Sequence, residues 1–281
     1  MQPNVENDQV PVYQVRPARG WSLPDLKEVW EYRELLYFFA WRDVKVRYKQ
    51  TVIGGVWAVL QPFFTMVVFT IFFGTLANIP SEGVPYPIFS FAALVPWTYF
   101  SNSITNATTS IVSNRTMITK VYFPRVIIPI ASVLTGLVDL VISFVVLCGM
   151  MVFYRVSPTS SLLFLPLLVV LMVFTSLAVG LWFSALNVVY RDVSYLVPFL
   201  MQIWLFASPV VYPSSMVPEK WRAIYGLNPM AGVIEGFRLG LLGTGTGLGP
   251  LFIVSTLAVL VLLVGGLAFF RRMERKFVDV V

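Results

Sequence analysis

The stretch WRDVKVRYKQTVIGGVWAVLQP, residues 41–62, changes from a strongly basic segment to an apolar one. Four cations lie within eight of its residues: Arg42, Lys45, Arg47 and Lys49. No further charged residue follows until Glu82. Cations that flank an apolar run are typical of the cytoplasmic end of a membrane span. The stretch therefore predicts a first membrane-spanning helix that begins near residue 56.

The composition of the whole chain is that of a membrane protein. Its 281 residues are 57% apolar and 12% charged, whereas a soluble domain has about 25% charged residues. The net charge of +6 is better explained by orientation in a membrane than by nucleic-acid binding. No histidine is present, which excludes Ser-His-Asp catalysis and histidine-ligated metal sites. The single cysteine, Cys148, excludes an intrachain disulfide.

Six apolar segments are long enough to predict membrane spans. They are residues 56–78, 88–110, 126–153, 162–187, 195–213 and 250–270. The second half of the second segment is rich in Ser, Thr and Asn, which predicts contact with other helices or with a hydrated path. We found no internal repeat.

The distribution of cations predicts the orientation of these spans. With the N-terminus inside, the cytoplasmic segments contain 8, 3, 1 and 4 Lys and Arg residues, 16 in all. The segments are residues 1–55, 111–125, 188–194 and 271–281. Four cations remain for the outer side: Arg155, Lys220, Arg222 and Arg238. This bias predicts that both termini are cytoplasmic.

The spans are preceded and interrupted by two other predicted elements. Residues 1–22 are expected to be a flexible cytoplasmic N-terminus, and residues 23–55 an amphipathic interface helix (23–40) followed by a basic turn. The apolar face of that helix is predicted to contain Leu26, Val29, Trp30, Leu36, Tyr37 and Ala40. Residues 271–281 are expected to form a cytoplasmic tail, and the transmembrane region covers 56–270. Within the transmembrane region, residues 214–249 predict a re-entrant or interfacial helical hairpin on the outer side, with a helix beginning at Pro229. The predicted fold class is an all-α integral membrane protein with six transmembrane helices.

Two groups of residues inside the spans are candidates for function. Asp139 is the one acidic residue deep within a predicted span, and such a residue marks a functional site or a buried acid bonded to Ser143 or to a neighbouring helix. Aromatic residues make up 15% of the chain; they suit the core and the membrane interface, or could stack on sugar rings along a path. The candidates for that path are Trp57, Trp97, Tyr99, Phe100, Asn102, Trp204 and Phe206.

The loop SNRTMITKVYFPRVIIP, residues 113–129, is short, basic and interleaved with aromatic residues. Exposed apolar side chains in such a loop favour docking to another protein. The alternative is a positively charged loop whose side chains snorkel at the membrane rim. The candidate docking residues are Asn114, Arg115, Met117, Lys120, Tyr122, Phe123 and Arg125.

Several of these segments together resemble ABC-2 type permeases that export bacterial polysaccharides. The resemblance rests on residues 41–62, FPRVIIP (123–129), LNVVYRDV (186–193), SPVVYP (208–213) and LNPMAGVIEGFR (227–238). It extends over about residues 30 to 275, in the order found in the family.

The resemblance implies an ABC-2, type V exporter-like fold in the bacterial inner membrane. It implies a homodimer that works with two separate ABC ATPase subunits to export O-antigen, capsule or teichoic acid. The ATPase subunits would contact residues 23–40 and 113–125. It also implies that the hairpin 214–249 is a periplasmic gate, formed here by Asn228, Pro229, Glu235 and Arg238. The substrate would be a glycan on undecaprenyl pyrophosphate, and the four cations of residues 42–49 would lie at the depth of that anion, where each contributes about 1 kcal/mol. Their alternative role is orientation and contact with anionic lipids.

The chain has no G-x-x-x-x-G-K-[ST] motif, so it cannot bind a nucleotide phosphate by that route. ATP and Mg²⁺ are therefore expected on the partner subunit, and neither a cofactor nor a metal on this chain. The alternative functions are export of a small molecule or lipid, a membrane-embedded glycan-transferring enzyme, and a scaffold subunit. The sequence offers no catalytic groups that a glycan-transferring enzyme would require.

Overall fold

The computed structural model describes residues 26–49, 55–157, 159–245, 249–274 and Phe277. Eleven α-helices are found there, and this part of the chain contains no β-strand. The helices are α1 Leu26–Glu31, α2 Arg33–Lys49, α3 Val56–Phe69, α4 Tyr86–Ser113, α5 Arg115–Ile118, α6 Ile127–Phe153, α7 Leu165–Val189, α8 Val193–Ala207, α9 Glu219–Tyr225, α10 Pro229–Leu242 and α11 Pro250–Met273. The predicted N-terminus 1–22 and most of the tail 271–281 lie outside the described residues.

Four helical segments are long and apolar enough to cross a membrane. They are Val56–Leu76, Ile127–Phe153, Ser161–Val189 and Pro250–Met273. The first consists of α3 and a π-helical continuation, Thr70–Leu76. These four agree with the first, third, fourth and sixth predicted spans.

The other two predicted spans correspond to α4 and α8. Helix α4 has 28 residues, but its second half is polar. Helix α8 ends at Ala207, six residues before the predicted end of the fifth span at 213. Ser208 has an extended backbone with ψ 155°, as expected for a residue before a proline, here Pro209.

Helix α4 lies at the centre of the bundle and packs against α3, α6, α7, α8 and α10. Glycines on two of these neighbouring helices, α6 and α7, allow their backbones to lie close to α4. A Cβ atom at Gly136 of α6 would lie 2.9 Å from Ser103 Oγ, and one at Gly180 of α7 would lie 3.1 Å from Ala107 Cβ. The first half of α4 is accordingly almost entirely buried.

The interface helix differs from its prediction in length and in the orientation of its apolar face. Helix α2 continues through the basic segment to Lys49 and packs against α6, so the predicted end at residue 40 is wrong. The buried face is centred on Phe39 and includes Leu36 and Tyr32, which are three and seven residues earlier. Trp30 and Tyr37, which the prediction placed on the apolar face of the interface helix, are 70% and 69% exposed and lie outside this buried face.

The region 214–249 contains two helices too short to cross a membrane alone. Helix α9 has 7 residues and α10 has 14. Helix α10 packs against α4, α7 and α11. Its glycines Gly232, Gly236 and Gly240 recur every four residues, so one face of the helix can lie very close to its neighbours.

Candidate functional site

A polar cleft lies where α2 meets the second half of α4 and the start of α6. Its volume is about 570 Å³. Helix α2 contributes Arg42, Asp43, Val46 and Arg47; the other lining residues are Asn106, Thr109, Ser110, Ser113, Asn114, Ser132 and Thr135. Guanidinium, hydroxyl and amide groups are the donors that bind phosphate oxygens. The cleft therefore has the chemistry of an anion-binding site.

Arg42 is held in place from both sides of the cleft. Its Nη2 donates to Asn114 Oδ1 at 2.9 Å and to Asp43 Oδ1 at 2.8 Å, and its Nε also donates to Asp43 Oδ1. The guanidinium carbon lies 5.0 Å from the ring centre of Phe39. Arg42 thus links α2 to the end of α4, and the side chain is oriented before any ligand binds.

Arg47 forms an ion pair with Asp139 of α6. The hydroxyl of Tyr48 also donates to Asp139. Burial, and next the hydrogen bond to Asp139, raise the pKa of Tyr48 above its ordinary value, so this hydroxyl stays protonated and remains a donor. Ser143 donates to Ala58 O at 3.0 Å. The sequence offered two structural partners for Asp139, Ser143 or a neighbouring helix. The partners lie on the neighbouring helix α2, and Ser143 is not among them.

The other two cations of the opening stretch lie outside the cleft. Lys45 and Lys49 are exposed, and Lys45 Nζ lies 5.5 Å from the ring centre of Trp41. The four cations are thus divided by helix geometry: two face α4 and α6, and two face away. The sequence did not predict this division or the role of Tyr48, because both depend on where α6 packs against α2.

A polar stripe continues from the cleft along α4. Thr98, Asn102, Asn106, Thr109 and Ser113 are half-buried or exposed and are spaced by three or four residues, which places them on one helix face. Thr98 and Asn102 adjoin Asp139 in a narrow pocket of about 10 Å³. The polar half of the second predicted span therefore faces a cleft between helices. The spacing of these residues was the available signal in the sequence.

The aromatic candidates separate into buried and exposed residues. Trp97, Tyr99 and Phe100 are at most 3% exposed and belong to the core, which corrects their predicted place along a path. Trp57 and Phe206 are 59% and 55% exposed. Trp204 is partly buried and donates from Nε1 to Asn228 Oδ1 at 3.0 Å.

The candidate docking loop is partly a core element. Phe123 is buried, and its ring centre lies 5.6 Å from that of Phe39, so its predicted place on a docking surface was wrong. Arg125 donates to Glu274 O at 2.7 Å, and Met117 is partly buried. Arg115, Lys120 and Tyr122 are exposed. A pocket of about 310 Å³ lies beside the latter part of this loop, residues 118–125.

The four gate candidates lie at the start of α10 or further along it, and hydrogen bonds from Asn228 and Arg238 form a network with the segment after α8. Asn228 Oδ1 accepts from Met230 N at 3.1 Å, which caps the helix that begins at Pro229. Arg238 is fully buried, and it donates to Val210 O at 2.7 Å, to Tyr212 O at 3.3 Å and to Phe89 O at 3.4 Å. Glu235 lies 3.8 Å from Arg238. The network fastens the segment after α8 to α10; its role as a gate stays a prediction.

The amino-acid sequence matches the ABC-2 type transporter family over residues 34–242. The chain belongs to this family. It is 32% identical over 217 residues to the O-antigen export system permease protein RfbA of Myxococcus xanthus, an alignment that covers 76% of this chain and 82% of the relative. A Klebsiella pneumoniae protein of the same name is 30% identical over 248 residues, 88% and 95% of the two chains. The polysialic acid transport protein KpsM of Escherichia coli is 22% identical over 238 residues, 83% and 91% of the two chains.

The part of the chain that matches the ABC-2 family contains the complete cleft. All of its lining residues, from Arg42 to Thr135, lie within 34–242, as do α9 and α10. Helix α11 follows the matched range. The ABC-2 family is a family of transporter membrane subunits, so the cleft belongs to a transport protein.

Proposed function

We propose that this chain is the permease subunit of an ATP-driven exporter of a lipid-linked polysaccharide. The observation that carries the proposal is its similarity to an O-antigen export permease over 88% of this chain and 95% of the relative. The absence of a nucleotide-binding motif in the sequence supports separate ABC ATPase subunits that bind ATP and Mg²⁺.

The proposed arrangement is a homodimer in the bacterial inner membrane, with six spans per chain and both termini in the cytoplasm. In this arrangement α4 and α8 are the two further spans beside the four long apolar helices. The polar half of α4 is tolerated because it borders the cleft and other helices rather than lipid. The distribution of 16 cations against 4 supports this orientation. Helices α9 and α10 form the re-entrant hairpin of the proposed periplasmic gate.

In this proposal the polar cleft receives the pyrophosphate of an undecaprenyl-linked glycan. Arg42 and Arg47 each already have a carboxylate partner. A guanidinium has five N–H donors, so each can bind a phosphate oxygen while it keeps that partner. Lys45 and Lys49, on the exposed face, contact anionic membrane lipids instead. The candidates left for contact with the glycan are Trp57, Asn102, Trp204 and Phe206.

The exposed part of the loop after α4 is the proposed docking surface for the ATPase. Arg115, Lys120 and Tyr122 supply its side chains. The hydroxyl of Tyr122 donates to Glu28 Oε1 at 3.2 Å, so the loop is tied to α1. Movement of an attached ATPase would therefore reach α1, and through it α2 and the cleft.

The test of the transport function begins with purification of the chain from its native membrane together with its bound proteins. A co-purified ABC ATPase, reconstituted with the chain in liposomes, is expected to hydrolyse ATP faster when undecaprenyl-pyrophosphate-linked glycan is added. Free glycan at the same concentration is the control. Stimulation by drugs or simple lipids instead would support the alternative of a small-molecule or lipid exporter. Lack of any ATPase partner would contradict the proposal.

The role of the cleft is tested with matched variants of α2. Arg47→Gln alone would leave Asp139 without its cation, so it is combined with Asp139→Asn. We expect Arg42→Gln to raise the lipid-linked glycan concentration for half-maximal ATPase stimulation about fivefold, since each cation contributes about 1 kcal/mol near an anion. The double variant should raise it by a smaller factor, because Asp139→Asn also removes a carboxylate that repels the anion. Lys45→Gln removes the same charge from the exposed face and should change this concentration less. Equal effects of the three variants would contradict the assignment of the cleft.

A further inference from the structure

An apolar groove opens at the opposite end of α6 from the polar cleft. Its volume is about 550 Å³, and it is bounded by the last turns of α6, the helical turn Ser160–Phe164 and the start of α7. Phe144, Val152, Leu162 and Leu165 are among its apolar wall residues. Val152 is 80% exposed, so the groove is accessible from the side of the bundle. A hydrocarbon chain has the chemistry that such walls accept.

Arg155 is the one charged residue in the lining of this groove. The residue is exposed, and among the described residues its side chain has no hydrogen-bond or ion-pair partner. The three other cations assigned to the outer side differ from it. Arg222 lies near Glu219 and bonds two carbonyl groups, Arg238 is buried, and Lys220 lies over Trp221. Arg155 therefore offers a guanidinium at the rim of an apolar groove.

The backbone at Arg155 adopts a conformation that favours glycine. Its φ is +56°, and the turn that ends α6 contains hydrogen bonds from Val156 N to Met151 O at 2.9 Å and from Arg155 N to Val152 O at 3.2 Å. In this C-terminal motif the left-handed position is usually glycine, which avoids the cost of a Cβ atom. A cation here also interacts favourably with the end of the helix dipole. Arg155 could therefore serve the stability of α6 alone. A change in lipid binding without a change in stability would distinguish a binding role from this structural role.

We propose that this groove binds one acyl chain of an anionic phospholipid in the outer leaflet, with the lipid phosphate on Arg155. Charge complementarity selects the anionic lipid, because Arg155 is the charged group at the rim and guanidinium groups bind phosphate oxygens. The outer position rests on the proposed orientation of the spans, in which the end of α6 faces outward. The site is separate from the polar cleft, which adjoins the first turns of the same helix.

The proposal is tested by native mass spectrometry of the full chain in detergent, with phosphatidylglycerol or phosphatidylcholine added. Wild type is expected to retain phosphatidylglycerol preferentially. Arg155→Gly should reduce that retention about fivefold, the effect of one cation near an anionic group, whereas Arg155→Lys should keep part of it. Lys220→Gln, which removes an exposed outer cation away from the groove, is the matched control. Because glycine suits this backbone, Arg155→Gly should unfold at or above the wild-type temperature without added lipid.

Alkylation of Cys148 tests whether the bound lipid lies in the groove. It is the one cysteine of the chain and part of the groove wall. Phosphatidylglycerol should slow its alkylation by N-ethylmaleimide in wild type and in Lys220→Gln, and should have little effect in Arg155→Gly. Equal lipid retention by wild type and Arg155→Gly, or no protection of Cys148, would overturn the proposal. Arg155-dependent retention of undecaprenyl phosphate but not of phosphatidylglycerol would also overturn it, since the occupant would then be the carrier lipid.

Discussion

Asp139 is an acid inside a predicted span, and both of its partners come from a helix that precedes the first span. The ion pair with Arg47 and the hydrogen bond from Tyr48 hold the end of α2 against α6. The residues are more than 90 positions apart in the chain. Asp139 therefore stabilises the wall of the cleft, whatever further role it has in transport.

A double-mutant cycle measures this contribution. Asp139→Ala leaves the Arg47 guanidinium and the Tyr48 hydroxyl without their acceptor, which should lower the free energy of unfolding by about 1–3 kcal/mol. Asp139→Asn keeps an acceptor oxygen and should cost less. The loss in the double variant Arg47→Gln/Asp139→Asn should be smaller than the sum of the losses in the two single variants. Thermal unfolding in detergent is the measurement, and strict additivity of the two single changes would contradict the coupling.

Arg238 is the most deeply buried charge in the described part of the chain, at 0% exposure. Arg238→Gln removes the donors to three carbonyl oxygens and leaves Glu235, 4% exposed, without its nearby cation. We expect a loss of about 3–5 kcal/mol in unfolding free energy, as for other broken buried pairs. Arg238→Lys should also be destabilising, because an ammonium cannot reproduce the planar arrangement of guanidinium donors.

The control for this prediction is Arg33→Gln on α2. Arg33 is exposed, with a 3.4 Å bond from Nη1 to Trp30 O, and its loss should change unfolding only slightly. The measurement is the unfolding temperature of each purified variant. Wild-type stability of Arg238→Gln would show that its carbonyl contacts contribute little.

Among the elements, α10 depends on its glycine face. A Cβ atom at Gly236 would lie 2.5 Å from Leu168 Cδ2 of α7. Gly236→Ala should therefore destabilise the protein by about 1–3 kcal/mol through overpacking, and Leu168→Ala in the same chain should recover part of that loss. Gly149→Ala on α6, where no neighbouring atom lies within 4 Å, should be neutral or stabilising, since alanine is the better helix former.

Unfolding temperatures of the four variants in one detergent test the packing of α10. If Gly236→Ala were as stable as Gly149→Ala, α7 and α10 would have room to separate. If the double variant were less stable than both single variants, the clash would not be with Leu168.

Features that depend on residues close together in the sequence could be predicted, whereas features that depend on contacts between distant residues could not. Long apolar runs and flanking charges identified the four long spans, because hydrophobic length is a local property. The face of α2 around Phe39 that is buried in the protein could not be predicted, since helical spacing alone does not show which side α6 will cover. The burial of Arg238 could not be predicted, because three distant carbonyl groups create its environment. For the candidate site, the sequence identified Arg42 and Arg47 but could not separate them from Lys45 and Lys49.

At the scale of the whole molecule, the six-span arrangement depends on α8. Its 15 residues rise about 22 Å, less than the roughly 30 Å of a bilayer core. The segment that follows, from Ser208 to Val211, is buried and is bonded to Arg238 and Asn228. The chain can therefore complete the crossing inside the protein, where backbone groups find partners without a continuous helix.

Crossing by α8 predicts that its two flanks lie on opposite sides of the membrane. In a Cys148→Ser background, cysteine is placed singly at Asp192 and at Glu219, both exposed. A membrane-impermeant maleimide added to intact spheroplasts should label the variant at 219 but not the one at 192, and permeabilisation should make both reactive. Labelling of both in intact spheroplasts, or of neither, would mean that α8 returns to the side from which it enters. Residues 219 and 155 would then face opposite sides. If neither site were labelled, residue 219 would lie inside, and the fastening of α10 by Arg238 could not form part of an outer gate.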